Sequence, residues 1–309
     1  MTFIPVTQAL LQPLKPLNHV EPSLPYRSSR AIRDPHVVAF LEELDSRPML
    51  RFASENTDAR VELLTRYPEW LQSSRQTQLD NLGAFPYVAV GHGTLHAFDA
   101  FHAEHRDRRF RCFRGEYMYH RAVWKQRYSF KLIEDGPVER GDAIVISYPF
   151  SDSGNKHPLM DEVIATCNRI EVPVLLDCSY MNVATGIRFD VDQPCVVALA
   201  FSLSKTFYGL GPLRIGVRFR REFNDDLVDI CNTLDSANPH SCAVALAFIN
   251  RFDVDFNQTT YRAKQLGVCE KLGVTASDTV IYGLGDHKWQ AYNRGGQYNR
   301  LCLSGLLEQ

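Results

Sequence analysis

The chain has 309 residues, 45% of them hydrophobic and 23% charged, with a formal net charge of −2. That is enough material for one large domain or two modest ones, and the composition of an ordinary globular protein rather than a disordered or fibrous one. The near-neutral charge gives no general pull toward nucleic acid or an anionic membrane, and no apolar run approaches the roughly 18–20 residues that span a bilayer. The N-terminus, Met-Thr-Phe-Ile-Pro, lacks a basic region followed by an apolar core, so the expected location is cytoplasmic. The eight cysteines are scattered with no CxxC pair, and several lie in apolar runs, which favours buried free thiols over disulfides or a zinc site.

Residues 1–30 carry five prolines and few periodic apolar positions, and read as an extended arm. Asp34-Pro35 then pairs an N-cap with an N1 proline ahead of a helical pattern. A second helix is expected from Asp58, ending near Pro68, and a third around Trp70–Leu82. Tyr87-Val-Ala-Val is a short strand, followed by Gly91-His-Gly-Thr94 and a helical run. A glycine-rich strand-to-helix turn offers free N–H groups and the positive end of a helix to an anion; it also reads as an ordinary tight turn.

His92 and His96 are four apart, with His102 and His105 beyond, but no carboxylate or cysteine completes a metal set. The basic run His105–Arg114 reads as a solvated surface or a contact with a partner subunit. Tyr117 and Tyr119 follow; either could be a core tyrosine or an aromatic platform. Arg140–Ser147 is a turn leading into a strand, then comes Tyr148-Pro-Phe-Ser-Asp-Ser-Gly154 and a helix expected over Lys156–Arg169. A buried strand ends at Asp177, three residues before Tyr180 and 28 before Lys205.

The stretch Phe201–Gly216 organises the rest. It follows the apolar run Val196–Ala200, so Lys205 stands at the end of a buried strand, where an ammonium is costly unless deprotonated, paired or covalently bound. Ser202, Ser204 and Arg214, with three glycines and a proline nearby, make a phosphate cradle. A lysine beside such a cradle points to a Schiff base with a phosphorylated aldehyde, pyridoxal 5'-phosphate (PLP). Beyond it, helices are expected over Asp225–Leu234, Ser241–Phe252 and Thr259–Leu272, and a final strand opens at Asn299-Arg300.

Phe201–Gly216 resembles the Ser-x-Ser-Lys…Arg-x-Gly signature of the fold-type I, class I/II PLP-dependent aminotransferases, as a short and divergent member. Over residues 85–305 the remaining motifs fall in that family's order. The resemblance implies an α/β fold: a mainly parallel, seven-stranded-type sheet with helices on both faces, plus a reduced C-terminal α+β domain. It implies a division into an N-terminal arm and helix (1–50), a large PLP-binding domain (51–272) and an abbreviated small domain (273–309 with part of the N-terminal segment). The roles it implies are a phosphate turn at Gly93, Thr94 and Leu95, and a ring-stacking Tyr117, with Tyr119 as the alternative. Asp177 would pair with the pyridine nitrogen, Tyr180 would bond the cofactor O3′, and Lys205 would carry the Schiff base. Ser202, Ser204 and Arg214 would hold phosphate; Lys205 to Arg214 is one residue longer than the spacing usual for this motif. Ser151 stands where the family has an asparagine on O3′, with Asp152 or Asn155 as substitutes. Arg300 would clamp the substrate carboxylate, with Arg294 its competitor; either could instead be a surface arginine.

The implied activity is an aminotransferase on an α-amino acid or related amine, working as a homodimer with the site between subunits. A lyase, decarboxylase or cyclase of the same fold is the alternative, and a non-catalytic protein that kept the fold is a third reading. No metal, nucleic acid or membrane enters.

Overall fold

The computed structural model describes residues 24–45 and 59–308. Most of the arm read over residues 1–30 therefore lies outside the described residues. The described residues open with α1 (Pro35–Asp45), α2 (Ala59–Gln72) and, after strands β1 (Thr77–Asp80) and β2 (Tyr87–His92), α3 (Thr94–Glu104). Then come β3 (Arg109–Cys112), α4 (Met118–Arg127), β4 (Phe130–Leu132), β5 (Asp142–Ser147) and α5 (Met160–Ile170). Strands β6 (Val174–Asp177), β7 (Ile187–Asp190), β8 (Val196–Ser202) and β9 (Ile215–Arg220) follow. The C-terminal part holds α6 (Leu227–Thr233), α7 (Pro239–Arg251), α8 (Phe256–Leu272), β10 (Thr275–Ala276), β11 (Tyr282–Gly285), β12 (Asn299–Cys302) and α9 (Ser304–Leu307). No helix among the described residues is long and apolar enough to cross a membrane.

Seven strands form the central sheet in the order β2-β9-β8-β6-β5-β3-β4. Neighbours are parallel except at β9, which runs antiparallel to both β2 and β8. The inner strands β5, β6 and β9 are buried on both faces, and their alternation divides the core. In β5, Ile144 and Ile146 join the apolar cluster under α2 and α7, whereas Ala143 and Val145 join the one under α3 and α4 with Phe98, Phe101, Phe110 and Trp124. The expected α/β sheet with helices on both faces is the fold observed. A separate three-stranded antiparallel sheet, β10-β11-β12, builds a second core from Val280, Ile281, Tyr282, Leu301 and Leu303, with Ile32, Tyr180 and Tyr261 packed into it.

Local chemistry explains most element ends. Met160, Val163, Ile164 and Cys167 place one apolar face of α5 inward. Asp226 caps α6 by accepting from the Val228 and Asp229 N–H groups, and Asn238 caps α7 ahead of Pro239. Helix α8 stops at Gly273 in the left-handed region, φ 65°.

Four sequence expectations need correction. Helix α2 does not end near Pro68 but runs through it to Gln72. Proline removes one hydrogen bond, yet Leu63, Tyr67, Trp70 and Leu71 continue the buried face, and Trp70 Nε1 donates to the Phe252 carbonyl at 2.9 Å. The helix expected over Trp70–Leu82 is instead the end of α2 and then β1, which pairs in parallel with β7. The helix expected from Lys156 starts at Met160, because Asn155 is tied to Ser277 and Asp278 and Pro158 intervenes. The basic run His105–Arg114 is not simply a solvated face: Arg111 is fully buried in β3, paired to Asp142 at 2.8 Å and donating to the Pro137, Leu132 and Gly136 carbonyls. All eight cysteines are free, seven buried and Cys231 half-buried.

Candidate functional site

In a parallel sheet the carboxyl ends of the strands share one edge, and the loops leaving that edge converge. Here that edge carries Gly93 after β2, Tyr117 after β3, Ser151 after β5, Asp177 at the end of β6 and Lys205 after β8. Strand β9 runs the other way, so it begins at the same edge and brings Arg214 there.

Gly93 lies at φ 68°, ψ 179°, at the start of α3. Its N–H donates to the Arg214 carbonyl at 2.6 Å, and a Cβ on Gly93 would run into the Arg214 guanidinium. Arg214 thus covers the N-terminus of α3, whose first N–H groups have no intrahelical acceptor. Leu95 turns its side chain to the core and leaves only its backbone toward the edge. Across from them, Ser202 Oγ lies 2.7 Å from Ser204 Oγ. Backbone N–H groups, two hydroxyls and a guanidinium thus come from the same sheet edge, a donor set suited to a phosphate dianion.

That close approach rests on Gly216, which pairs with Gly91 across β9 and β2. A Cβ there would overlap the Gly93 backbone. We expect Gly216→Ala to cost about 1–3 kcal/mol of stability, the range for overpacking against a rigid neighbour. Denaturant unfolding checks it, and an unchanged midpoint would mean that β2 and β9 can spread.

Asp177 is buried and pairs in register with Ser147 on one side and Ala200 on the other. Its Oδ1 accepts from the Ser179 N–H at 3.0 Å and the Ser179 hydroxyl at 2.5 Å. No cation pairs with it among the described residues. Burial pushes its pKa up to about 6, against the lowering effect of the Ser179 bonds. A buried carboxylate with no cationic partner is matched chemically by a protonated ring nitrogen. The Asp177 site and the phosphate cradle therefore fit the two ends of PLP.

Lys205 follows β8 at the same sheet edge. The turn after β8 is fixed by the Thr206 and Phe207 N–H groups on the Leu203 carbonyl and by Asn257 on the Thr206 carbonyl. Lys205 Nζ donates to the Ser29 carbonyl at 3.1 Å. Tyr180 is buried beside it, its hydroxyl 2.9 Å from Ser29 Oγ. Burial alone would raise the Tyr180 pKa, but the positive charges of Arg300 and Lys205, together with the Ser29 and Tyr282 hydroxyl bonds, make the shift downward.

Tyr117 is partly exposed at the site, with its pKa raised first by burial and then by Tyr180 and Asp177. The alternative, Tyr119, turns away and donates to Asp99 at 2.6 Å. Ser151 is buried; its carbonyl accepts from both Arg300 and Arg294. Neither suggested substitute reaches the same place. Asp152 accepts from the Gln297 and Tyr298 N–H groups at 2.8 and 3.0 Å, and Asn155 is held by Ser277 and Asp278. Arg300 is fully buried, lies 4.2 Å from the Tyr282 ring centroid and donates to Ser29 Oγ at 3.1 Å. Neither candidate arginine is a bare surface residue.

Two members of the site carried no sequence signal. Ser29 touches Lys205, Tyr180, Tyr282 and Arg300 from the N-terminal segment. Glu116 is fully buried, accepting from the Ser147 N–H and hydroxyl and from the Tyr117 N–H. Burial raises its pKa to about 7, with the charge of Asp177 acting in the same direction. Its acidic character next to Tyr117 was visible in the sequence, but its inward direction was not.

No protein-family model and no curated protein matches the chain. Solved structures do match in shape. The probable N-succinyldiaminopimelate aminotransferase of Thermus thermophilus is similar at a TM-score of 0.64 with 14% identity, over 92% of this chain and 90% of that one. The PLP-bound C–S lyase of Staphylococcus hominis is similar at 0.62 and 12%, over 93% and 86%. The L-threonine-O-3-phosphate decarboxylase of Porphyromonas gingivalis is similar at 0.51 and 17%, over 76% and 80%. The chain has the fold of the class I/II PLP-dependent aminotransferases. Its structural neighbours run more than one reaction on that fold.

Proposed function

We propose that the protein is a PLP-dependent transferase, an aminotransferase acting on an α-amino acid or related amine. The observation that carries this reading is the buried, cation-free Asp177 carboxylate at the end of β6, with Lys205 and the Arg214–Gly93 cradle at the same sheet edge. A scaffold without a bound cofactor gains nothing from a carboxylate that burial disfavours.

When bound, PLP supplies an aldehyde for an amino group and a cationic ring that takes up negative charge. Asp177 would accept the ring N–H and keep that nitrogen protonated, while Ser179 fixes the carboxylate with two hydrogen bonds. The α3 N-terminus, Ser202, Ser204 and Arg214 would hold its phosphate, Tyr117 would pack on its ring, and Tyr180 would bond its O3′ hydroxyl. Ser151 contributes to the same wall through its buried loop. Lys205 Nζ would be the group that holds the cofactor, and it would take the proton from substrate Cα and return it as general base and acid. Arg300 aligns the substrate carboxylate with its planar fork.

The segment around Ser29 and residues 273–308 form the substrate side of the site in this reading. A homodimer with the site at the subunit boundary, located in the cytoplasm, belongs to the same proposal, and sedimentation of the purified protein tests the dimer.

The test of function is a visible spectrum of the protein with PLP, before and after borohydride, followed by peptide mapping. A yellow protein that bleaches, with a pyridoxyl group fixed on Lys205, is the expected result. A protein that stays colourless with added PLP would overturn the assignment. Product analysis then separates nitrogen transfer, with release of a keto acid, from lyase, decarboxylase or cyclase chemistry.

A further inference from the structure

Glu116 is a buried carboxyl beside the site for which the mechanism above has no task. It lies in the turn after β3, where its own N–H donates to the Phe113 carbonyl at 3.1 Å. Both of its oxygens are used. One accepts from the Tyr117 N–H at 2.8 Å and from the Ser147 hydroxyl, the other from the Ser147 N–H at 2.8 Å. No cation pairs with it among the described residues. Two backbone N–H groups and a hydroxyl pointing at one carboxyl are the donor set of the ionised form. On protonation at least one of the three has to let go or turn round.

The surroundings oppose that charge. Burial favours the neutral acid, and the charge of Asp177 at the end of β6 acts in the same direction. The other ionisable neighbour is Cys112 at the end of β3, which burial keeps a neutral thiol; it feels Glu116, and also Arg121, Glu134 and Arg111. The carboxyl is thus built to be a carboxylate and placed where a carboxylate is disfavoured.

The groups it joins belong to the site. Tyr117 is the residue that opens α4, and Ser147 ends β5 in register with Asp177. The Ser147 hydroxyl also accepts from the Ser151 N–H at 3.3 Å. Glu116 therefore fastens the backbone of the ring-covering tyrosine to the strand beside Asp177, and through Ser147 it steadies the Ser151 loop. A cation received by Asp177 would offset the charge that works against Glu116.

Resting on the function proposed above, we propose that Glu116 is a positioning residue of the cofactor site: as a carboxylate it holds Tyr117 and the Ser147–Ser151 loop in place for the ring, so that ring binding and Glu116 ionisation favour each other.

The test is the affinity of the full chain for pyridoxine 5′-phosphate, which has the ring and the phosphate but no aldehyde for Lys205. Calorimetry from pH 6 to 8 measures it for the wild type, Glu116→Gln and Ser147→Ala. Titration of the ligand is common to all three proteins and cancels in their ratios. The ratio of wild-type to Glu116→Gln affinity is expected to rise about threefold or more across that range, because affinity gained on ionisation appears as pH passes the pKa of the free site. A carboxyl with a structural role alone would change affinity by one factor at every pH, so a flat or falling ratio overturns the proposal. Ser147→Ala keeps Glu116 but removes a donor that favours its charge, and should displace the same rise to higher pH. Should Glu116→Gln not fold, a Ser147→Ala profile identical to that of the wild type overturns the proposal. A visible spectrum with PLP keeps the two readings apart. A wild type that is colourless with PLP and binds no pyridoxine 5′-phosphate overturns the cofactor reading and this inference with it. A yellow wild type with a flat ratio keeps the cofactor and removes only the role of Glu116.

Discussion

Replacing Lys205 with alanine is expected to lower turnover by about 10³-fold or more, the combined scale of a lost proton-transfer group and a lost covalent anchor. The geometry leaves no understudy. Lys205 Nζ, donating to the Ser29 carbonyl, is the amine at the sheet edge that carries Asp177, and the other basic side chains of the site, Arg214, Arg294 and Arg300, are guanidiniums, a group too weakly acidic to exchange a proton. Fold and stability should change little, because the turn is held by Thr206, Phe207 and Asn257 rather than by the lysine side chain. Phosphate-end binding should survive as well, since none of the cradle passes through position 205. The expected picture is thus a folded protein that still takes up PLP, shows no borohydride-fixed label and barely turns over. Single-turnover measurement of keto acid release, beside a thermal melt of the same sample, checks it. Full turnover in the variant would take Lys205 out of the mechanism.

What could be read from the sequence follows the range over which each signal acts. The lysine, its serines and Arg214 lie within one strand–loop–strand unit, so composition and local spacing exposed them. The buried strands were legible for a similar reason: a strand covered on both faces must be apolar throughout, as Val196–Ala200 is. Failures came where distant chain segments decide. Pro68 should end a helix by local rules, but Trp70 finds its acceptor at Phe252 and the helix continues. Ser29 reaches a lysine 176 residues away, and Glu116 a serine 31 residues on. Nothing in their neighbourhoods announces either contact. Arg300 could be picked out because it opens a terminal strand. That Arg294 meets it at the Ser151 carbonyl depends on how the loops after β5 and before β12 pack. The two arginines looked like rivals for one role until their shared acceptor was known.

Asp177→Asn is expected to lower turnover by about 10²–10³-fold while making the cofactor-free protein more stable at neutral pH, so that function and stability move in opposite directions. An amide can accept one hydrogen bond from a ring N–H but carries no charge to keep that nitrogen protonated. The stability half follows from burial. With its pKa raised to about 6 from an ordinary 3.8, the Asp177 carboxyl binds its proton more tightly in the folded chain than in the unfolded one. Its contribution is most favourable below about pH 4 and is lost as pH rises through about 6. Glu116, raised to about 7, acts in the same sense and carries the loss toward neutrality. The cofactor-free wild type should therefore lose stability between pH 4 and 7 on account of these two groups. Asparagine removes the Asp177 part, a gain on the order of 1–3 kcal/mol at pH 7.5 that vanishes near pH 4. Denaturant midpoints of both proteins without PLP, at pH 4 and 7.5, measure it directly. If the variant is no more stable at pH 7.5 than the wild type, Asp177 already has a cation in the cofactor-free fold, and the argument for a pyridinium partner goes with it. If the gain appears and turnover falls, the carboxylate is being held in a place that folding alone does not favour. Its partner is then the group that the site binds.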